Sequence, residues 1–187
     1  ILRFSIENKS SEVKIEREIF YIKNYLEIQK IRFGDKFSYS IDVEERFLEY
    51  LTPKLIIQPI VENSIKHGYI QEKEFKILIK IKQKRERIQI GIFDNGKGIE
   101  KQELKLLKEK LLKRNLSLKE HIGMYNVQRR IELLYGKEYG LKIESELDEG
   151  TTVLIRIPAI VYTEENRRIL EKGYLFSKDQ IQKKDRE

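Results

Sequence analysis

The amino-terminal part of the chain shows a helical apolar period followed by an alternating one. Apolar side chains three or four positions apart predict an amphipathic helix over about Ser11–Phe33, with Ser10 or Ser11 as its N-cap. The inward positions of this helix are Ile15, Ile19, Ile22 and Leu26. Apolar residues then occupy every second position from 37 to 43, which predicts a strand with one buried face.

A second helix is predicted between two residues that commonly bound helices. Pro53 suits the first helical position, because the N–H that proline lacks would be unpaired there, and Gly68 suits the end. Pro59 lies inside this segment and removes one helical hydrogen bond. We therefore expect a helix over about 53–68 that is kinked near its middle.

The rest of the chain alternates between strands and helices. Apolar residues at every second position on both sides of Lys84–Arg87 predict a hairpin, with lysines on its outer face. The later predictions are a loop over 94–99, helices over about 100–115 and 123–135, and strands over 139–147 and 151–157. From Thr163 the charged tail is predicted to be a helix at most. Strands that alternate favour an α+β fold, a two-layer sandwich with helices on one sheet face, over a doubly wound parallel sheet.

The amino-acid composition excludes several kinds of functional site. The 187 residues hold 38 Lys and Arg against 31 Asp and Glu, a net charge of +7, and no cysteine. Disulfides, thiolate metal sites and a cysteine nucleophile are therefore excluded. His67 and His121 are the two histidines, so a multi-histidine metal centre is not expected. The basic residues are interspersed with acidic ones and with few aromatic side chains, so no nucleic-acid partner is expected.

The chain shows no signal peptide and no apolar run near the ~20 residues of a membrane span. It does not begin with Met. We expect a soluble piece of a longer protein.

Four polar side chains share one face of the predicted 53–68 helix. They are Glu62, Asn63, Lys66 and His67, spaced three or four positions apart. A solvated face with a Glu62–Lys66 pair worth ~0.3–0.5 kcal/mol explains this pattern. A site for a metal-bound polyphosphate explains it as well, because an amide oxygen is a suitable Mg²⁺ ligand and Lys66 and His67 can meet phosphates.

Three glycine-containing segments offer further candidates. Asp94-Asn95-Gly96-Lys97-Gly98-Ile99 resembles a hairpin turn, but helical spacing follows it, and its glycines would let the backbone approach a ligand. The segment His121-Ile122-Gly123-Met124-Tyr125-Asn126 is either an ordinary loop before a helix or a phosphate-binding helix start. Gly150-Thr151-Thr152 is either a plain turn or part of the same site.

In their order and spacing, these segments resemble the ATP-binding domain of the GHKL superfamily, which includes gyrase, Hsp90, MutL and histidine kinases. Asn63, Asp94-x-Gly96-x-Gly98, Gly123-x-x-Asn126 and Gly150-Thr-Thr look like its N box, G1 box, G2 box and closing strand. A second set of strings looks like the LytS/YesM-type sensor histidine kinases. These strings are Leu2-Arg3-Phe4, residues 24–29, Arg32-Phe33, residues 58–68 (Gln-Pro…Glu-Asn…Lys-His-Gly) and Leu134-Tyr135-Gly136.

The resemblance implies a Bergerat sandwich that binds ATP and Mg²⁺. It implies that Asn63 holds the metal and that Asp94 accepts from the adenine amino group. Residues 99–121 would form a lid, and Thr152 would lie beside Asp94. The implied catalytic residues are Glu62, as a loosely assigned base, and Lys66. The implied ATP-binding residues are Asn63, Lys66, His67, Asp94, Gly96, Gly98, Ile99, His121, Ile122, Gly123, Met124, Asn126 and Thr152.

The chain departs from the family pattern at two positions. His121 stands where the G2 box often begins with glycine, which would stiffen the lid hinge and add a phosphate donor. Pro59 stands one turn before Asn63, where hydrolytic relatives carry an acid that activates water. A phosphoryl donor is therefore favoured over a hydrolase. The phosphoacceptor histidine of the family would lie upstream of Leu2, so this chain should not phosphorylate itself.

The resemblance also implies a domain plan. Residues 1–34 would be the end of the helical dimerisation region, 35–160 the ATP-binding domain and 161–187 a charged tail. A cognate response regulator, a homodimer of the longer protein and a cytoplasmic position below a bacterial membrane are expected. A nucleotide-regulated interaction module without kinase activity is the alternative, and a basic nucleic-acid binder is a third possibility.

Overall fold

The computed structural model describes residues 12–70, 73–112 and 122–171. Its strands are β1 (Glu12–Lys14), β2 (Phe37–Val43), β3 (Leu51–Pro53), β4 (Phe75–Lys84), β5 (Arg87–Asp94), β6 (Gly140–Glu146) and β7 (Gly150–Pro158). Its α-helices are α1 (Ile15–Phe33), α2 (Gln58–Asn63), α3 (Lys101–Leu112), α4 (Ile122–Tyr135) and α5 (Glu164–Glu171). A single π-helical turn, Ser64–Gly68, continues α2.

Five strands form one mixed sheet in the order β2-β4-β5-β7-β6. The β2–β4 pair is parallel and the other three pairs are antiparallel. The predicted hairpin is present as β4–β5, and the last strand pair as β6–β7. The α+β class with helices on one sheet face is confirmed.

The core lies between the sheet and the helices, because apolar residues alternate in register across four strands. One inward row is Ile81, Ile90, Ile155 and Leu141, and the next is Ile79, Ile92, Val153 and Ile143. Ile15, Ile22 and Leu26 of α1 belong to the same buried cluster. Helix α1 is therefore packed on the sandwich along its apolar stripe.

The prediction for the start of α1 is wrong. The helix begins at Ile15 instead of Ser11, because Glu12–Lys14 is extended and pairs antiparallel with Leu51–Pro53. Ser10 and Ser11, the candidate N-caps, lie outside the described residues. Lys14 takes the N-cap position without a side-chain hydrogen bond to the helix.

The prediction for the second helix is also wrong at its start. Pro53 ends β3, and the helix begins five residues later at Gln58. Pro59 is consequently the second residue of α2 and causes no kink, because an N–H in the first helical turn has no partner within the helix. Gly68 ends the π turn, close to the predicted end.

Helices α3 and α4 match the predicted helical stretches in the parts that the structure describes. The end of the first stretch, the last part of the predicted lid (113–121) and the tail beyond 171 lie outside those parts. Within the described ranges, no helix combines the length and the apolar character needed to cross a membrane.

Candidate functional site

A third inward row of the sheet is mostly polar. It consists of Ile77, Asp94, Thr151 and Ser145, in register with the two apolar rows. The alternation that buries Ile90 and Ile92 also places Asp94 on the core face, at the last position of β5. A carboxylate is thus brought to the core face of the sheet at the end of a strand.

Asp94 is 8% exposed. Its Oδ1 accepts the N–H of Gly96 at 3.1 Å, whereas its Oδ2 is buried with no hydrogen-bond partner among the described residues. Burial raises the pKa of the Asp94 carboxyl above its ordinary value, opposed by the Ser64 hydroxyl and by the N–H groups of Gly96 and Thr151. A buried acceptor without a hydrogen-bond donor lowers the stability of the fold, and a ligand that carries a donor can pair with it.

The loop after Asp94 is held close to backbone on both sides. A Cβ on Gly96 would lie 2.4 Å from the Gly68 carbonyl oxygen, and one on Gly98 would lie 1.9 Å from the Glu146 carbonyl oxygen. Gly98 also has φ +69°, which disfavours other residues. The two glycines therefore let this loop pass between the end of the π turn and the β6–β7 turn.

Helix α2 and the π turn form the opposite wall. Asn63 is half-buried, with Ser64 buried behind it and His67 more exposed. The Nδ2 of Asn63 is buried with no hydrogen-bond partner in the described part of the chain. Gly123, near the start of α4, packs here, since a Cβ on it would lie 3.2 Å from Pro59 Cβ and 3.6 Å from Asn63 Nδ2.

These walls enclose one cleft. Its lining is Ile60, Asn63, Ser64, His67, Gly68, Asp94, Gly98, Ile99, Met124, Ile143, Thr151 and Val153. Apolar walls with a few converging polar groups and a carboxyl of raised pKa are typical of small-molecule sites. The enclosed volume of about 40 Å³ is below the roughly 300 Å³ of small ligand pockets, so a nucleotide would require the cleft to open.

The structure brings most of the predicted residues to this cleft. Asn63, His67, Asp94, Gly98, Ile99 and Met124 line it directly. Gly96 supports it from the loop, and Gly123 from the start of α4. His121 lies outside the described residues.

Four predicted residues do not line the cleft but are exposed beside it: Glu62, Lys66, Ile122 and Asn126. Glu62 accepts a hydrogen bond from Gln58 Nε2 at 2.7 Å. Glu62, Lys66 and His67 are exposed, as the solvated-face interpretation predicts, but within the described segments no ion pair joins Glu62 to Lys66.

The placement predicted for Thr152 is wrong by one residue. Thr151, not Thr152, is the register partner of Asp94 and lines the cleft. Thr152 faces the opposite side of the sheet, beside Phe93, its own partner. Successive side chains of a strand point to opposite faces, so the buried neighbours Val153 and Ile155 already indicate the correct residue.

Sequence reasoning missed two polar contributors. Ser64 lies among apolar residues of its helix, Ile60, Val61 and Ile65, yet its hydroxyl lies close enough to lower the pKa of Asp94. Ser145 donates to the Gly150 carbonyl oxygen at 2.7 Å, lies 2.8 Å from Thr151 Oγ1 and accepts the N–H of Ile99 at 2.9 Å. The inward parity of β6, which also buries Ile143, is the signal that identifies Ser145.

Residues 50–160 match the family described as "Histidine kinase-, DNA gyrase B-, and HSP90-like ATPase". This range contains every residue that lines the cleft. Residues 1–37 match a second family, described as "Histidine kinase".

Individual relatives agree with these matches. The chain is 31% identical over 159 residues to sensor histidine kinase YesM of Bacillus subtilis, covering 84% of this chain and 26% of that protein. It is 36% identical over 160 residues to sensor histidine kinase YpdA of Escherichia coli, covering 84% and 26%. The chain thus spans about a quarter of the length of these relatives.

Solved structures agree in fold. The catalytic domain of histidine kinase ThkA superposes with a TM-score of 0.56 at 17% identity, covering 83% of this chain and all of that one. The mycobacterial sensor histidine kinase MprB gives a TM-score of 0.56 at 15% identity, covering 82% and 99%. At such identities the likeness concerns the fold alone.

Proposed function

We propose that this chain, which belongs to the histidine kinase-, DNA gyrase B- and HSP90-like ATPase family, is the ATP-binding catalytic domain of a sensor histidine kinase. The observation that carries the proposal is the unpartnered Oδ2 of Asp94, buried in a mainly apolar cleft whose opposite wall presents Asn63. The named relatives support the kinase assignment.

The end of the cleft at the sheet suits adenine. Ile99, Met124 and Ile143 supply apolar surface for a flat ring, and the free acceptor of Asp94 meets the amino group of the base. An exocyclic amino group is a donor, so it can pair with the buried Oδ2 of Asp94, an acceptor that has no partner in the described part of the chain. The same contact discriminates against bases that present an acceptor at that point.

The other end of the cleft suits a metal-bound triphosphate. The unpaired Nδ2 of Asn63 is a donor that can meet a phosphate oxygen. The oxygen of the same amide is a hard ligand of the kind that Mg²⁺ binds. No cluster of three or more acidic, His or Cys ligands occurs in the ranges that the structure describes, so phosphate oxygens and water would complete the shell. Bound there, Mg²⁺ neutralises phosphate charge. His67 and Lys66 lie next along the π turn, and the start of α4 with Gly123 and Asn126 faces the phosphates.

The proposed reaction transfers the γ-phosphoryl group to a histidine that precedes this chain. The bond from the γ-phosphorus to the β-phosphate oxygen breaks, a bond to an imidazole nitrogen forms, and ADP leaves. Glu62, exposed next to Asn63, is the proposed acceptor of the imidazole proton. Pro59, one helical turn before Asn63, has no group that activates water, so the site favours transfer over hydrolysis. Positioning and charge neutralisation supply most of the rate.

The proposed setting is that of a two-component system. The longer protein would act as a homodimer, its phosphorylated histidine would supply a cognate response regulator, and this domain would lie on the cytoplasmic side of a membrane. The support is the family and the names of the relatives, since the chain spans about a quarter of their length.

Binding is tested with the chain itself. Thermal unfolding with and without MgATP should show stabilisation of about 2.7 kcal/mol when ATP is at a hundredfold excess over its Kd. Absence of any stabilisation by MgATP or MgADP contradicts the proposal. The kinase step is tested in a longer protein that includes the upstream histidine: label from γ-labelled ATP should appear on that residue. Binding without transfer would identify the interaction module instead.

A further inference from the structure

The turn that leads into α2 has an unfavourable backbone conformation. Leu55 has φ +56°, in the left-handed region that glycine favours. This turn joins β3 to α2, which is six residues long and ends at Asn63. Backbone of this kind persists only where neighbouring groups hold it, so the supports of this turn determine where α2 starts.

The first support comes from α1. Glu18 is 3% exposed, and its carboxylate accepts three consecutive N–H groups: Leu55 at 2.7 Å, Ile56 at 3.1 Å and Ile57 at 3.3 Å. Burial raises the pKa of Glu18, while these N–H groups and Arg130 oppose that rise. Both carboxylate oxygens of Glu18 accept N–H groups of this one turn. Glu18 therefore stabilises the turn, because hydrogen bonds to a carboxylate are strong and directional.

The second support comes from α4. Arg130 Nη1 donates to the carbonyl oxygen of Lys54, so the N–H groups of the turn are held by α1 and a carbonyl group of the same turn by α4. Helix α4 begins at the cleft, where Gly123 packs on Pro59 and Asn63. The turn over 54–57 is thus fixed between the helix that enters the domain and the helix that borders the nucleotide site.

We propose that Glu18 is a positioning residue for the nucleotide site: it fixes the start of α2 and thereby the placement of Asn63 opposite Asp94. The proposal rests on the proposed function, since it takes Asn63 as the metal ligand. Asn63 lies five residues after Gln58, less than two helical turns, so a displacement of the first turn of α2 also moves Asn63. Asn63 is the last residue of α2, whereas Asp94 lies on β5. A displaced α2 therefore changes the metal end of the cleft more than the adenine end.

The test compares ATP binding with and without metal. In the 187-residue chain, ATP is titrated by calorimetry in excess Mg²⁺ and again in EDTA, and the ratio of the two affinities isolates the metal end. Glu18→Gln keeps the shape of the side chain but turns an NH₂ group toward backbone N–H groups. We expect MgATP affinity to fall by roughly tenfold, as for other residues that orient a metal ligand, with affinity in EDTA changed less than twofold.

Glu16→Gln is the matched control, because it makes the same chemical change two residues away on the exposed face of α1. It should leave both affinities unchanged. If Glu18→Gln lowers neither ATP affinity, or lowers both equally, the ratio of the two affinities stays at its wild-type value. That result overturns the proposal and leaves the proposed function intact. A wild-type chain that binds no ATP overturns the proposed function itself.

A second variant covers the case in which Glu18→Gln does not fold. Arg130 is an exposed side chain, so Arg130→Gln removes the other support of the turn with less risk to the core. A selective loss of MgATP affinity in this variant supports the proposal, and an unchanged affinity ratio overturns it.

Discussion

Replacing Asp94 with asparagine should affect stability and binding in opposite directions. Burial raises the pKa of this carboxyl in the folded chain. Ionising this carboxyl is therefore less favourable in the folded chain than in the unfolded chain. At neutral pH, where the carboxyl ionises, this difference lowers the free energy of unfolding. That cost is absent below the ordinary carboxyl pKa and fully present once the pH exceeds the raised one. Asp94→Asn removes the cost, so the chain without nucleotide should unfold at a higher temperature at pH 7.5.

The same change should weaken ATP binding. The amide oxygen would keep the bond from the Gly96 N–H, which leaves an NH₂ group where Oδ2 meets the adenine amino group. A hydrogen bond to a charged acceptor contributes about 1.5–3 kcal/mol, which corresponds to a loss of roughly 10- to 150-fold in affinity. In the variant, the side-chain NH₂ group would also face the adenine amino group, and two donors that face each other add to that loss.

Calorimetric titration with MgATP measures the binding part, and thermal unfolding without nucleotide measures the stability part. The stability difference between variant and wild type should shrink as the pH is lowered toward the ordinary carboxyl range. A variant that binds MgATP within twofold of wild type refutes the role of Asp94. A variant that is less stable than wild type at pH 7.5 refutes the assignment of a stability cost.

Three further substitutions test separate parts of the cleft. Asn63→Ala should lower MgATP affinity by roughly tenfold or more and barely change affinity in EDTA; equal losses in calorimetry would contradict a metal role. Gly98→Ala should destabilise the fold by about 1–3 kcal/mol in denaturant unfolding, because its Cβ would lie 1.9 Å from the Glu146 carbonyl oxygen; an unchanged midpoint would show that the loop adapts. The Thr151 hydroxyl lines the cleft beside Asp94 and is the proposed partner of one polar group of adenine. Thr151→Val should therefore weaken ATP binding about fivefold, the value of one hydrogen bond, whereas Thr152→Val should not; equal effects would contradict the register.

Local periodicity predicted most of the sandwich. The hairpin β4–β5, the helix α4 and the strand pair β6–β7 follow from apolar spacing, because each has one buried face and a period that reflects it. The family inferred from the motifs is confirmed by the matches of residues 50–160 and 1–37.

Long-range pairing accounts for what the sequence did not predict. β1 and β3 are three residues each, too short for a periodic pattern. They pair across about forty positions, as Val13 does with Thr52. Without that pairing, Pro53 looks like a helix start. The three bonds that Glu18 accepts also join distant segments, and in sequence Glu18 is only one of several acids along a helix.

Motif order predicted which residues meet in the site, whereas the strand positions that face it follow from parity and were partly missed. Asp94 and Asn63 line one cleft, as the resemblance implied. Thr152 was carried over from the family pattern, whereas counting alternate positions from Val153 gives Thr151. Residue types alone did not indicate that Ser145 supports both the loop and the closing strand.

The most direct test of the account is a crystal structure of this chain with Mg²⁺ and a non-hydrolysable ATP analogue. We expect the adenine amino group to lie about 3 Å from Asp94 Oδ2 and the metal to be bound to the Asn63 amide oxygen. A structure with the base bound elsewhere, or with Asp94 and Asn63 both free of the analogue, would contradict it.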